Sequence, residues 1–196
     1  MEGDEVLHEK DISRLRATLQ KHVDNPKVES LVFDYYHFYG SPNTLAISPG
    51  WYRRAVRVIR NSIRSYSPDG LFFVVMNKNK RGRYPYAALA GVPIYHYGHL
   101  RSVANMQTKI QQVSRYWGHA PPEFDGYGDI DPQALGHFRG SHPAVMTKWL
   151  AESAEQNLRL NPNYQPSRRE RRHRWMSQLE RLFGWELSKK HYRLVS

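Results

Sequence analysis

The sequence reads VESLVFDYYHFYG from Val28 to Gly40. β-Branched and aromatic residues dominate this segment and glycine closes it, which predicts a buried β-strand. Three other segments, 51–64, 71–76 and 87–96, are also rich in apolar residues, and the first of them mixes these with basic residues. We expect these four strands to form the β part of an α/β fold.

Apolar residues at helical spacing predict four helices, at 12–23, 103–117, 143–158 and from about 167 onward. Asp11 and Ser102 are placed to cap the first two helices, and Pro143 is placed to begin the third. The segments 41–50 and 118–142 are rich in turn-forming residues and are predicted to be loops.

The composition is that of a folded protein, with 196 residues of which 40% are hydrophobic and 13% aromatic. The chain has no Cys, which excludes disulfides, thiolate metal sites and a Cys nucleophile and suits a reducing cytoplasm. No apolar run approaches the roughly 20 residues of a membrane span. We therefore expect a cytoplasmic location, either free or peripheral at the inner face of the membrane.

The formal net charge of +11 favours an anionic partner, which could be nucleic acid, an acidic membrane surface or a phosphorylated substrate. The sequence has no glycine-rich phosphate loop, no H-E-x-x-H zinc motif and no Ser nucleophile elbow. The absence of these motifs counts against the hydrolase classes that depend on them.

The N-terminus is dense in acidic residues, with Glu2-Gly3-Asp4-Glu5 followed by Val6. Oxygen ligands at alternate positions of an extended segment project to one side, where a divalent cation bridging two phosphates could bind. The alternative is a disordered acidic start without a role in chemistry.

Two more residues could carry chemistry. His96 follows an apolar strand and could ligate a metal, bind a phosphate or serve only the structure. Asp69 precedes Gly70 and is either an ordinary turn residue or a general base at a strand mouth.

A set of basic side chains could line a phosphate-binding groove or serve solubility: Arg53, Arg54, Arg57, Lys78, Lys80, Arg81 and Arg83.

The run from Arg168 to Arg174 opens the last predicted helix and carries five arginines. The apolar residues of this helix are expected on one face: Trp175, Met176, Leu179, Leu182 and Phe183. Such a helix can lie on an anionic bilayer or bind nucleic acid. The alternative is a helix that packs on its own domain and leaves a solvated basic end.

In order along the chain, these segments resemble the second half of a bacterial family 2-like glycosyltransferase with the GT-A fold. Glu2–Val6 resembles the acidic metal-binding motif of that family, and Phe33–Gly40 resembles its F-x-Y-x-H-F-Y-G block. Trp51–Asn61 and Ile94–Gly98 follow in the same order. The resemblance covers about residues 2–117 and extends more weakly to Pro143.

The resemblance implies transfer of a sugar from a nucleotide-sugar donor to a glycan or lipid-linked acceptor hydroxyl, with Mg²⁺ or Mn²⁺ at the diphosphate. Asp4 is the implied metal ligand, with Glu2 and His96 as further ligands. Asp69 is the implied general base, ahead of Asp34, although Ala55 stands where relatives carry a carboxylate. The basic turn would contact the diphosphate through two side chains, Lys80 and Arg81.

The resemblance also implies a division of the chain. Residues 1–117 would be the C-terminal half of the catalytic core, and residues 118–196 a helical extension whose basic helix could meet an anionic membrane. The family's donor-binding half would precede the acidic motif, so we expect a fragment that does not transfer sugar alone. A nucleic-acid-binding protein without enzymatic activity is the alternative function.

Overall fold

A computed structural model describes residues 1–68, 70–153 and 158–195. The described residues form ten strands: β1 (Glu5–Val6), β2 (Ser30–Tyr39), β3 (Ser41–Ala46), β4 (Arg54–Ile59), β5 (Ser65–Tyr66), β6 (Val74–Met76), β7 (Gly82–Arg83), β8 (Tyr86–His99), β9 (Leu135–His137) and β10 (Arg193–Leu194). They also form four α-helices: α1 (Ile12–Val23), α2 (Val103–Trp117), α3 (Thr147–Ser153) and α4 (Arg168–Phe183).

The protein has a mixed α/β structure, which confirms the predicted class. Strand order in the larger sheet is β1-β8-β2-β3-β9, with β4 also paired to β2 and β10 also paired to β8. The β2–β4 and β3–β9 pairs are antiparallel whereas β10 runs parallel to β8, so the sheet is mixed. Strands β5, β6 and β7 form a separate antiparallel sheet.

The chain divides into two compact units. The first contains residues 1–36, 49–95 and 188–196, and the second contains residues 37–48 and 96–187. The predicted division into 1–117 and 118–196 follows the family resemblance and remains a prediction.

The core of the first unit lies on both faces of β2. Leu31, Phe33 and Tyr35 point to one side, where they pack with Val92 and Ile94 of β8. Val32 points to the other side and packs with three other buried residues, Val56, Ala87 and Tyr192. A strand buried on both faces carries a continuous apolar run rather than an alternating one, which explains why the segment at 30–39 was recognisable from sequence.

Helix α1 forms as predicted, but its capping differs from the prediction. The Asp11 side chain makes no capping hydrogen bond. A short 3₁₀ turn at Glu9–Asp11 precedes the helix instead, and the His8 side chain caps that turn. At the other end of the helix, the Arg60 guanidinium donates to the carbonyl oxygens of His22 and Val23 at 2.7 Å each. Arg60 directly follows β4, and it supplies hydrogen bonds to carbonyl groups that have no partner within the helix.

The second unit shows where the loop prediction for 41–50 was wrong. Residues 41–46 form β3, which pairs with β2 and with β9. Gly40 allows the tight return between β2 and β3 because its φ is +65°, a conformation that glycine adopts at little cost. Pairing with β3 likewise makes a strand of Leu135–His137 inside the predicted loop 118–142.

Helix α2 has the predicted limits and N-cap, and helix α4 begins where it was predicted to begin. The Ser102 side chain accepts from the Asn105 backbone, and Ser167 and Glu170 form a capping box. Pro143 precedes a 3₁₀ turn at Ala144–Met146 rather than starting an α-helix, and α3 follows. The predicted continuation of that helix through 154–157 lies outside the described residues.

Among the residues that the structure describes, no helix combines the length and the apolar character needed to cross a membrane.

Candidate functional site

The acidic N-terminal segment is folded, and Glu5 is its anchor. The Glu5 carboxylate is buried in the first unit and accepts from Arg57 Nε at 3.0 Å and Arg57 Nη2 at 2.8 Å. The Tyr35 hydroxyl donates to the same carboxylate at 2.6 Å. These charge-assisted bonds hold β1, β2 and β4 together at one place.

The electrostatics of Glu5 follow from these partners. Burial by itself would raise the pKa of Glu5, but the hydrogen bonds from Arg57 and Tyr35 outweigh it and lower that pKa. Burial raises the pKa of Tyr35 above its ordinary value, with a further contribution from Glu5. Glu5 and Arg57 therefore form a stable ion pair at neutral pH, with the phenol protonated beside them.

Glu2 and Asp4 lie on a turn closed by this ion pair. The Glu2 backbone N–H donates to Glu5 Oε2 at 3.0 Å, and Glu5 N–H donates to the Glu2 carbonyl at 3.2 Å. Glu2 Oε1 also pairs with Arg57 Nη2 at 3.0 Å. Asp4 is half-buried between them. The expected extended geometry with alternating ligands is wrong here, because only Glu5–Val6 is strand and the residues before it form a turn.

His96 lies in the second unit, within β8, and is 8% exposed. Its Nδ1 is 3.0 Å from Nδ1 of His37, which lies on β2 and is 2% exposed. A hydrogen bond between two ring nitrogens needs one donor and one acceptor, so one Nδ1 carries a proton and the other does not. The His99 ring centroid is 6.1 Å from that of His96.

Aromatic packing fixes the surroundings of this histidine pair. Phe38 stacks on Tyr97 with centroids 4.8 Å apart, and the Tyr97 hydroxyl is 2.9 Å from His142 Nδ1. His142 Nε2 is 3.1 Å from the Pro42 carbonyl oxygen. A carbonyl can only accept, so His142 Nε2 carries a proton and donates to it. His37 and His142 were not among the predicted site residues, although both lie inside segments that carry the family resemblance.

The structure describes only one of the two predicted general bases, Asp34. Asp34 pairs with Arg54, whose Nε donates to Asp34 Oδ1 at 2.7 Å. Asp69 lies outside the described residues.

The predicted cationic set does not form one surface. Arg57 and Arg54 hold carboxylates, and Arg83 holds Glu29 through a bidentate pair at 2.5 and 2.7 Å. Lys80 and Arg81 are exposed on the turn between β6 and β7, as is Lys78.

Within the described ranges, no group of three or more His, Asp or Glu side chains is arranged to hold a metal ion. Asp4 and His96 offer the carboxylate oxygen and imidazole nitrogen that Mg²⁺ or Mn²⁺ sites use. Glu2 Oε1 pairs with Arg57, and the role of Glu2 as a metal ligand stays a prediction.

No protein-family model, curated protein or solved structure matches this chain.

Proposed function

We propose that the chain is a glycosyltransferase module of the GT-A type that acts on a nucleotide-sugar donor. The resemblance supplies the reaction: an acceptor oxygen attacks the anomeric carbon, the bond from that carbon to the diphosphate breaks, and the acceptor proton goes to a base. The acceptor would be a glycan or a lipid-linked hydroxyl.

One observation supports this proposal more than any other. The segments that carry the resemblance fall on strands that are neighbours in the sheet. β1 is the end of the acidic motif and pairs with β8, and β8 carries the Ile94–Gly98 segment and neighbours β2. β2 carries most of the Phe33–Gly40 segment and pairs with β4. Segments that the resemblance connects only by their order in the sequence therefore also lie on neighbouring strands of one sheet.

The roles of individual residues are proposed as follows. Asp4 would be a ligand of a divalent ion that stabilises the diphosphate leaving group, and the metal-ligand role of His96 rests on the resemblance alone. Lys80 and Arg81 would contact the diphosphate from the exposed turn. Asp69 would be the base rather than Asp34, because Asp34 already holds Arg54 in an ion pair and a base must be able to accept a proton.

Calorimetric titration with nucleoside diphosphates in the presence and absence of Mn²⁺ tests the proposal. We expect at least one of UDP, GDP and dTDP to bind, and Mn²⁺ to strengthen that binding. Asp4→Asn should weaken the Mn²⁺-dependent part by about tenfold or more, since even the loss of residues behind a metal ligand has effects of that size. Asp125→Asn, at an exposed carboxylate of the second unit, is the matched control and should bind like wild type.

Two results would contradict the proposal. The first is the absence of binding by all three nucleotides with Mn²⁺ present. The second is tight binding of duplex DNA that weakens steeply with salt and does not need Mn²⁺, which would favour the nucleic-acid-binding alternative.

A further inference from the structure

Helix α4 docks on its own unit through its polar face. Arg174 Nη2 donates to Asp131 Oδ1 at 2.7 Å, and the Asp131 carboxylate is 2% exposed. The Asp131 backbone donates to Glu170 Oε1 at 3.0 Å, and the Tyr164 hydroxyl donates to Glu170 Oε2 at 2.7 Å. Glu180, further along the same face, is buried and accepts from the Leu187 backbone at 2.7 Å.

The opposite face of α4 is apolar and faces solvent. Trp175 is 63% exposed, Leu182 is 76% exposed and Phe183 is 57% exposed. Trp185, just beyond the helix, is 57% exposed and stacks on Phe183 with centroids 4.8 Å apart. An amphipathic helix on a globular unit normally buries its apolar stripe and exposes its polar one. Met176 and Leu179 are half-buried, but packing within the unit does not explain the exposed Trp175, Leu182 and Phe183.

The same outward side is strongly cationic at the start of the helix. Arg168, Arg169, Arg171 and Arg172 are all exposed. The helix contains six Arg and two Glu, a net charge of +4 with His173 neutral. Cations near a helix N-terminus oppose the helix dipole, so these arginines do not serve the stability of the helix.

We propose that this outward face of α4 docks the protein on an anionic membrane surface. The proposal goes beyond the glycosyltransferase activity and does not rest on it. Arginines beside exposed Trp, Leu and Phe match a bilayer interface, where anionic headgroups meet the basic end and the acyl boundary accepts the apolar side chains. A nucleic acid would use the arginines but leave Leu182 exposed, and a second copy would bring a face of like charge against this one.

Flotation with lipid vesicles tests the proposal on the full chain. Wild-type protein should bind phosphatidylcholine vesicles in which about a third of the lipid is phosphatidylserine, and should bind pure phosphatidylcholine far more weakly. Reversing three charges with Arg168→Glu, Arg169→Glu and Arg172→Glu should reduce binding to the anionic vesicles by about tenfold or more. The control variant reverses three exposed charges of the first unit, Arg16→Glu, Lys27→Glu and Lys78→Glu, and should bind much more tightly than the α4 variant.

A second variant tests whether the apolar side chains of this face contribute to vesicle binding. Trp175→Ser with Leu182→Ser should reduce vesicle binding several-fold, because both side chains would insert at the acyl boundary. Val23→Ser with Val145→Ser removes two other exposed apolar side chains and should leave binding unchanged. Circular dichroism of each variant establishes that it is folded.

Three outcomes would overturn the proposal. The first is equal retention of vesicle binding by the α4 charge variant and its control. The second is preferential binding of duplex DNA that the serine variant does not affect, which would assign the arginines to nucleic acid. The third is a concentration-dependent dimer that the serine variant abolishes, which would assign the face to a second copy of the chain.

Discussion

Arg54 and Arg57 lie three residues apart on β4, yet their ion pairs differ in burial. The Arg57 side chain is 5% exposed and its partner Glu5 is fully buried, whereas Arg54 is 29% exposed and its partner Asp34 is 49% exposed. Removing one member of a buried ion pair leaves the other charge buried without its counter-ion. Removing one member of an exposed pair leaves the other charge in contact with water.

This contrast predicts the effect of one matched substitution at two positions. Arg57→Met should lower the free energy of unfolding by about 3–5 kcal/mol, because it leaves the Glu5 carboxylate buried without its cation. Arg54→Met should lower it by no more than about 1 kcal/mol. Urea unfolding of both variants measures the difference, and equal losses would contradict the assignment of Glu5–Arg57 as the anchor of the acidic segment.

At the scale of elements, the attachment of α4 depends on Glu170. Burial alone would raise the pKa of Glu170, but hydrogen bonds from Tyr164, Ser167 and the Asp131 backbone outweigh it and lower the pKa to about 2, from 4.5 in the absence of these partners. A lowered pKa means that the stabilisation is fully present above pH 4.5 and is lost as the pH falls towards about 2.

Glu170→Gln isolates this contribution. The variant should be less stable than wild type near neutral pH, and the difference in free energy of unfolding should shrink as the pH is lowered from about 4.5 to about 2. Urea unfolding followed by tryptophan fluorescence at several pH values measures it. A difference that stays constant over this range would show that the Glu170 charge does not hold α4 in place.

Alanine substitution at Gly40, with Gly118 as the comparison, tests the turn between β2 and β3. Gly40 and Gly118 both have positive φ, +65° and +69°. A Cβ at Gly40 would lie 2.7 Å from Leu158 Cδ1 and 2.9 Å from Tyr127 Cβ, whereas a Cβ at Gly118 would meet nothing within 4 Å. Gly118→Ala should therefore cost about 1 kcal/mol from backbone strain alone, and Gly40→Ala about 2–4 kcal/mol because overlap is added. Thermal unfolding of the two variants checks this, and similar losses would count against the tight return at Gly40.

At the scale of the whole molecule, local pattern predicted the helices and the long strands. The apolar run at 30–39 and the capped helices 103–117 and 168–183 depend on residues close in sequence, and these predictions are confirmed. Strand β3 was missed because its pairing with β9 joins residues about ninety positions apart, which composition does not show. The pairing of Arg57 with Glu5 spans 52 positions, so sequence pattern did not show that these two side chains meet.

Residue pattern and the family resemblance both pointed to Asp4, Glu2 and His96, and the structure adds information about each. Glu2 is engaged with Arg57, Asp4 lies half-buried on the turn beside it, and His96 is paired with His37. No local feature of the sequence indicated the histidine pair, because its two members lie 59 positions apart.

Nuclear magnetic relaxation by Mn²⁺ is the most direct test of the central proposal, that Asp4 serves a divalent ion at a nucleotide diphosphate. With a nucleoside diphosphate present, substoichiometric Mn²⁺ should broaden the amide signals around Asp4 before those of other residues, and Asp4→Asn should abolish the selective broadening. Broadening confined to other carboxylates such as Asp125, or no selective broadening, would contradict the claim.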